Sequence, residues 1–259
     1  GGWPRISERS KVLGDVSATV IMVDFADAPA TMTPSEALMR ISPAQDVFKE
    51  MSYGKISFNL KAQLKWYRMS KNSSEYVAGG WTFFKHRDYI TEAAKLADSD
   101  VDFSGTDSLI ILANPDAKGM GYSGPAFAAI RNSGITLDGK YISNGATSAY
   151  DLNNWKSIWL NHEISHSMGL VDLYASTSSN SANRYDGFRY TGEFSYMGLS
   201  SYESNSPSLL AFERWNLGWI EDSQIECMKS SQLTKLISPV QVNGGTKAVV
   251  IPLSRTKAL

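Results

Sequence analysis

The stretch that decides the fold of this chain is HEISHSMGLVD, residues 162–172. It holds two of the only three histidines among 259 residues. Residues four apart share one helix face, so His162 and His166 can direct imidazole nitrogens at one zinc ion, at about 2.0 to 2.1 Å. Glu163 then lies beside the metal, where a general base can take a proton from bound water. The spacing predicts a zinc site on a helix.

The second half of this stretch predicts a third ligand. Gly169 falls where the helix should end, because glycine adopts the left-handed C′ conformation without a Cβ penalty. The turned chain can then deliver Asp172 to the metal. Three protein ligands leave a tetrahedral zinc one open position for water, which is typical of a catalytic site. The alternative is that two polar histidines simply face solvent.

Composition excludes several classes of partner. The formal net charge is −1 without a dense Lys/Arg run, which argues against nucleic acid and anionic membranes. The longest apolar runs are far below the ~20 residues that span a bilayer. The single cysteine, Cys227, excludes an internal disulfide and is predicted to be a small buried hydrophobe. Because the sequence starts at Gly1 without a signal peptide, we expect a processed or trimmed chain.

Hydrophobic patterning predicts an α/β (α+β) fold. Continuous apolar runs at 16–25 and 108–113 predict buried strands, and the alternation at 56–60 predicts a half-buried one. Helices are predicted at 43–52 and 83–97, and a third begins at Asp151 or Asn153 and carries Trp155 and Trp159 on the face of the two histidines. The remaining histidine, His86, is expected to be a surface or partly packed residue rather than a ligand.

The C-terminal third is predicted to change character. A helix should begin at Ser206 and Pro207 and end before Gly218. From about 229 the runs are short and alternating, with Asn243 and Gly244 as a hairpin turn between 240–242 and 247–251. We expect a catalytic domain at 1–228, with a mostly helical C-terminal subdomain at 170–228. The start of a β-rich segment is expected at 229–259.

Residues 119–124 form a glycine-rich loop with the pattern G-x-G-x-x-G, which also occurs in dinucleotide-binding turns. Five residues separate this loop from the strand before it, and Pro125 follows it. Asp138 is too close to be the acid expected about 20 residues further on. A surface loop near the site, with Asp116 as a candidate cation ligand, is the favoured interpretation, and a nucleotide-binding enzyme is kept as an alternative.

The zinc stretch, with Met197 downstream in the segment SYMG at 195–198, resembles the metzincin zinc endopeptidases, in which a methionine-containing turn runs beneath the metal. Four further segments are similar to the immune inhibitor A family of secreted bacterial metallopeptidases: MVDFAD at 22–27, MSYGKIS at 51–57, GLVDLY at 169–174 and LGWI at 217–220. The resemblance covers roughly 16–220. It implies a metzincin-like domain with a twisted mixed sheet, an active-site helix and extended peptide substrates bound along a sheet edge.

The resemblance also suggests secondary residues. Members of the family are often calcium-stabilised, and the candidate calcium ligands are Asp24, Asp27 and Asp116. Leu199 stands where astacin-like and serralysin-like enzymes carry a tyrosine that can swing onto the metal. The candidates for that transition-state role here are Tyr174, Tyr196 and Tyr202. Glu193 is the alternative third ligand, in a thermolysin-like arrangement.

The sequence therefore predicts a secreted, monomeric, zinc-dependent endopeptidase, whose signal peptide and any prosegment lie outside this chain. Zinc on His162, His166 and Asp172 is expected to polarise a peptide carbonyl, while Glu163 takes the water proton and passes it to the leaving amine. The other candidate is a zinc-dependent binding or adhesin module without turnover. Glu163 argues against it, because metal binding alone does not need that carboxylate.

Overall fold

The fold was analysed in a computed structural model that describes residues 2, 4–121, 124–174, 191, 193–198, 208–255 and 257–259. Eleven strands lie in this part of the chain: β1 Gly14–Asp24, β2 Ile56–Arg68, β3 Ser108–Ala113, β4 Ala126–Ala128, β5 Ile135–Leu137, β6 Lys140–Ile142, β7 Asn144–Thr147, β8 Ile225–Cys227, β9 Ala248–Val250, β10 Pro252–Ser254 and β11 Lys257–Ala258. The α-helices there are α1 Pro34–Ile41, α2 Pro43–Met51, α3 Ser73–Val77, α4 Phe83–Ala97, α5 Asp151–Asn154, α6 Ser157–Met168 and α7 Ala211–Asn216.

Five strands form one mixed sheet in the order β2-β1-β3-β7-β4. The first four are parallel to their neighbours, and β4 pairs antiparallel with β7 at the edge. Continuous apolar sequence is typical of parallel strands covered on both faces, which explains why all six residues of β3 are buried. The predicted α/β class is confirmed.

Each face of the sheet packs against its own core. Successive strand side chains point to opposite faces, so Val20 and Met22 of β1 enter one core and Ile21 and Val23 enter the other. Residues of α1, α2 and α6 fill the first core, and α4 covers the second. The helix α6 therefore lies against the sheet next to β4 and β7.

The predicted helix through Trp155 and Trp159 is divided in two. α5 ends at Asn154, and α6 begins at Ser157. Between them Lys156 has φ +48° and interrupts the helix. A positive φ at a residue other than glycine interrupts a right-handed helix. Trp159 is buried in the first core and Trp155 is half-buried against it. Trp159 therefore shares α6 with the two histidines, whereas Trp155 lies before the break.

Three further predictions are corrected. His86 is buried, 4% exposed, because the rings of Trp81 and Phe127 pack around it and its Nε2 hydrogen-bonds Thr147 Oγ1 at 2.7 Å. Cys227 is exposed rather than buried, because β8 belongs to a two-stranded sheet away from the main cores. The predicted 240–251 hairpin does not form, since β9 pairs parallel with β8 and 240–242 is not a strand.

The C-terminal part packs against the rest of the chain. α7 ends before Gly218, as predicted, but it begins at Ala211 and not at 206–207, because Leu210 is extended and its amide is capped by Glu213. Ser206 and Pro207 themselves lie outside the described residues. The carbonyl of Val240 accepts hydrogen bonds from Tyr53 Oη at 2.6 Å and Arg214 Nη1 at 3.0 Å. Among the described residues, no helix has the length and apolar character needed to cross a membrane.

Candidate metal centre

The helix α6 ends in a left-handed turn at Gly169. This glycine has φ +109°, and the amides of Gly169 and Leu170 donate to the carbonyls of His166 and Ser165 at 2.9 and 3.0 Å. This pattern closes the helix and reverses the chain. The segment before β1 also stabilises the C-terminal end of α6, since Arg5 Nη1 donates to Met168 O at 3.1 Å. The residues after Gly169 are thereby returned to the histidine face.

The turned chain brings His162, His166 and Asp172 together. The two Nε2 atoms are 3.0 Å apart, and each is 3.3 Å from Asp172 Oδ1. Ligand atoms on a tetrahedral zinc with bonds of 2.0 to 2.1 Å are separated by about 3.3 Å. The donor set of two imidazoles and one carboxylate also suits zinc. Within the described residues, this is the one group of three His, Cys, Asp or Glu side chains close enough to hold an ion.

Both imidazoles are oriented by main-chain carbonyls. His162 Nδ1–H donates to Tyr196 O at 2.5 Å, and His166 Nδ1–H donates to Leu170 O at 3.0 Å. A hydrogen bond from one ring nitrogen fixes the tautomer that leaves the other nitrogen as the metal ligand. Nε2 is therefore the ring nitrogen of each histidine that faces Asp172.

The carbonyl for His162 comes from the predicted methionine turn. Tyr196 and Met197 are buried, and the turn is closed by Gly198 N–H donating to Ser195 O at 3.0 Å. Met197 O accepts the amide of Leu173, the residue after Asp172, at 2.6 Å. The turn therefore contacts both the helix α6 and the segment that carries Asp172.

The charges in the cluster favour a cation. Burial opposes ionisation of Asp172, but the hydrogen bonds and charges of His162 and His166 hold its pKa well below the usual range. Burial lowers the pKa of His162, yet the hydrogen bond to Asp172 and the charge of Glu163 outweigh it, so this pKa is raised. Two carboxylates thus surround the imidazoles, and a positive charge held between these groups is stabilised.

Glu163 lies beside the cluster and next to the sheet edge. The nearby backbone N–H of Ala126 in β4 lowers the pKa of its carboxyl group, and the side chain is partly exposed. Burial raises its pKa, against the lowering effect of His162 and His166. A carboxylate with a raised pKa near a metal is suited to taking up and releasing a proton.

The glycine-rich loop is explained by close packing. A Cβ on Gly124 would lie 1.8 Å from Thr147 O, and one on Gly119 would lie 2.2 Å from Ser73 Oγ. The amide of Gly124 donates to Asp151 Oδ2 at 2.6 Å, and its carbonyl accepts Trp159 Nε1–H at 3.0 Å. These contacts hold the chain just before β4. They account for two of the glycines without a nucleotide.

The remaining predicted site residues differ in their positions. Tyr174 is half-buried, and burial together with the nearby Asp172 carboxylate raises its pKa to about 12. The side chain of Tyr196 lies in the core, so its carbonyl is the group that reaches the site. Glu193 is not in the three-residue cluster. Tyr202 and Leu199 lie outside the described residues.

The candidate calcium ligands have protein partners. Asp24 accepts two hydrogen bonds from Arg68, at 2.6 and 3.0 Å, and Asp27 accepts Ser73 N–H and Oγ–H at 2.9 and 2.8 Å. Asp116 lines a separate open cavity of about 550 Å³. The described part of the chain assembles no second cluster of three ligands, so calcium stays a prediction.

Comparison with known proteins adds little to this geometry. No protein-family model matches the chain, and the comparison with curated proteins found no match. Among solved structures, the chain is similar to metalloproteinase-II from Bacteroides fragilis, with 16% identity and a TM-score of 0.43. The match covers 86% of this chain and 57% of that protein. The functional proposal therefore depends on the residues of the site.

Proposed function

We propose that this chain is a zinc-dependent endopeptidase. The observation that carries the proposal is the triangle of His162 Nε2, His166 Nε2 and Asp172 Oδ1, with edges of 3.0, 3.3 and 3.3 Å. When bound, zinc would supply Lewis-acid polarisation and bring the pKa of water to about 7. Structural zinc sites are usually closed by four protein ligands, whereas three ligands beside a free carboxylate favour catalysis.

Glu163 has the position and environment of the general base. It follows His162 directly on α6, and burial raises its pKa toward the range in which a carboxylate can accept and return a proton. In peptide hydrolysis it would take the proton of the attacking water and deliver it to the leaving amine. Tyr174, which lies near the Asp172 carboxylate, is the described tyrosine that supports a transition-state role.

The edge strand β4 is the surface that supports substrate binding. It forms the antiparallel edge of the main sheet and packs against α6, the helix that carries Glu163. An extended peptide that pairs with a sheet edge gains main-chain hydrogen bonds with little demand on sequence. We therefore propose protein and peptide substrates. The segments at 22–27, 51–57 and 217–220 support the narrower proposal of a secreted bacterial enzyme of the immune inhibitor A type.

The test combines metal analysis with hydrolysis of casein or a labelled peptide, with and without 1,10-phenanthroline. We expect one zinc per chain and loss of activity on chelation, restored by zinc. Glu163→Gln should keep the metal and lower kcat by about 10²- to 10⁴-fold. Glu75→Gln, a change of the same type on the surface helix α3, is the control and should be fully active.

A second pair of variants identifies the third ligand. Asp172→Asn should weaken zinc binding, and Glu193→Gln should not. The reverse result would replace Asp172 by Glu193 and remove the geometric basis of the proposal. Zinc bound by the wild type without any peptide hydrolysis would instead indicate a binding module.

A further inference from the structure

A buried carboxylate lies behind the methionine turn, outside the proposed ligand set. Glu213 in α7 is only 2% exposed. Its Oε1 and Oε2 accept Ser195 Oγ–H at 2.9 and 2.8 Å, and Oε2 also accepts Leu210 N–H at 2.6 Å. A buried carboxylate is costly unless it is well hydrogen-bonded, so these contacts fix its position tightly.

Ser195 passes this constraint to the turn. Its Oγ accepts the amide of Met197 at 3.0 Å while its hydroxyl hydrogen is directed to Glu213. The amide of Tyr196 donates to Ser208 O at 2.8 Å, next to the segment that leads into α7. Glu213 therefore fixes the side chain of Ser195. Hydrogen bonds from the amides of Tyr196 and Met197 fix the main chain on both sides of Tyr196 O.

The carbonyls of the same turn face the proposed ligands. Tyr196 O orients His162, and Met197 O holds the amide of Leu173, directly after Asp172. A displacement of the turn would alter the direction of the His162 ring and the approach of Asp172 together. Three hydrogen-bonded steps thus connect Glu213 to the metal centre.

We propose that Glu213 is a positioning residue for the metal centre, acting through Ser195 on the turn that orients His162 and anchors the segment of Asp172. This inference rests on the proposed function, because it assumes that these residues bind zinc. It assigns Glu213 a role beyond capping the start of α7. Outer hydrogen-bond partners of metal ligands typically contribute 10- to 100-fold to metal affinity.

Helix capping alone would be a simpler role, and the chain offers a matched comparison. Glu36 occupies the same capping-box position in α1, where it accepts Thr33 N–H at 2.8 Å. It is exposed, and its carboxylate hydrogen-bonds Thr33 at the start of its own helix. Glu36→Gln and Glu213→Gln should therefore both weaken a helix cap. Only Glu213→Gln should also disturb the turn that orients His162.

The experiment measures the zinc dissociation constant of the folded protein by competition with a chromophoric chelator. We expect Glu213→Gln and Ser195→Ala each to raise this constant by about 10- to 100-fold. The double variant should bind zinc about as weakly as either single one, because both changes interrupt one path. Glu36→Gln should bind zinc like the wild type. The visible absorption of the cobalt(II)-substituted protein should change in the Glu213 and Ser195 variants only.

Unchanged zinc affinity and cobalt absorption in folded Glu213→Gln would overturn the inference, even if its unfolding free energy falls. Ser195→Ala removes one hydroxyl and keeps the backbone, so it decides the question if Glu213→Gln fails to fold. Additive effects in the double variant would also contradict the proposed path. If the wild type itself binds no zinc, the proposed function fails, and this outcome is distinct because the variants need not be compared.

Discussion

His86 should make the protein less stable in mild acid. Its ring is 4% exposed, and burial lowers its pKa from 6.5 to about 4. Between these values the unfolded chain binds a proton that the folded protein does not, so the unfolding free energy falls as the pH decreases. The loss begins near pH 6.5 and is complete below about pH 4.

The size of this effect follows from the two pKa values. The full shift of about 2.5 pH units corresponds to about 3.4 kcal/mol, at 1.36 kcal/mol per unit. Between pH 7.5 and pH 5.0, linkage gives a loss of about 2 kcal/mol from His86. This is a substantial part of the 5 to 15 kcal/mol that stabilises a typical domain.

Urea unfolding of the metal-free protein at these two pH values provides the assay. His86→Gln should be less stable than the wild type at pH 7.5, because it loses contacts with Trp81 and Phe127. Its further loss at pH 5.0 should be smaller than that of the wild type by about 2 kcal/mol. Thr147→Val is the control, since it removes the hydrogen-bond partner but keeps the buried ring and its pH dependence. An equal pH dependence in wild type and His86→Gln would refute the reasoning.

Substitutions at three further sites test the turn, the loop and the surface by urea unfolding, together with activity for the loop. Gly169→Ala should cost about 1 to 2 kcal/mol, because an L-residue is strained at φ +109°, and Gly169→Asn should cost less. Gly124→Ala should cost about 3 kcal/mol and lower activity, because its Cβ would overlap Thr147 O, whereas Gly105→Ala meets nothing within 4 Å and should keep full activity. Cys227→Ser should change stability by less than about 0.5 kcal/mol, and a larger loss would mean that the thiol is packed.

The best-predicted elements have strong local signals. The strand 108–113 and the helix 83–97 agree with β3 and α4, because a continuous apolar run and a 3.6-residue period are properties of the segment itself. The approach of His162 and His166 was likewise local, since both lie on α6 four residues apart. Asp172 needed only the turn at Gly169 to reach them.

The missed features depend on contacts distant in sequence. The break between α5 and α6 requires φ +48° at Lys156, and lysine is not a residue type that indicates a positive φ. Asn243 and Gly244 are typical of a hairpin turn and predicted a hairpin. In the structure β9 instead pairs parallel with β8, which lies earlier in the chain. The carbonyls that orient the histidines have no sequence signature, and Glu213 approaches the turn only after the intervening chain has folded back.

The main-chain orientation of both imidazoles has a consequence for sequence variation. Every residue type has a carbonyl, so replacing the side chain of Leu170 or Tyr196 leaves the acceptor in place. Both side chains are buried, and such changes would cost stability. The main-chain hydrogen bonds would nevertheless still determine which nitrogen of each histidine faces Asp172. The side chains around the site can therefore vary, in nature or in a mutant library, while the tautomers of both histidines stay the same.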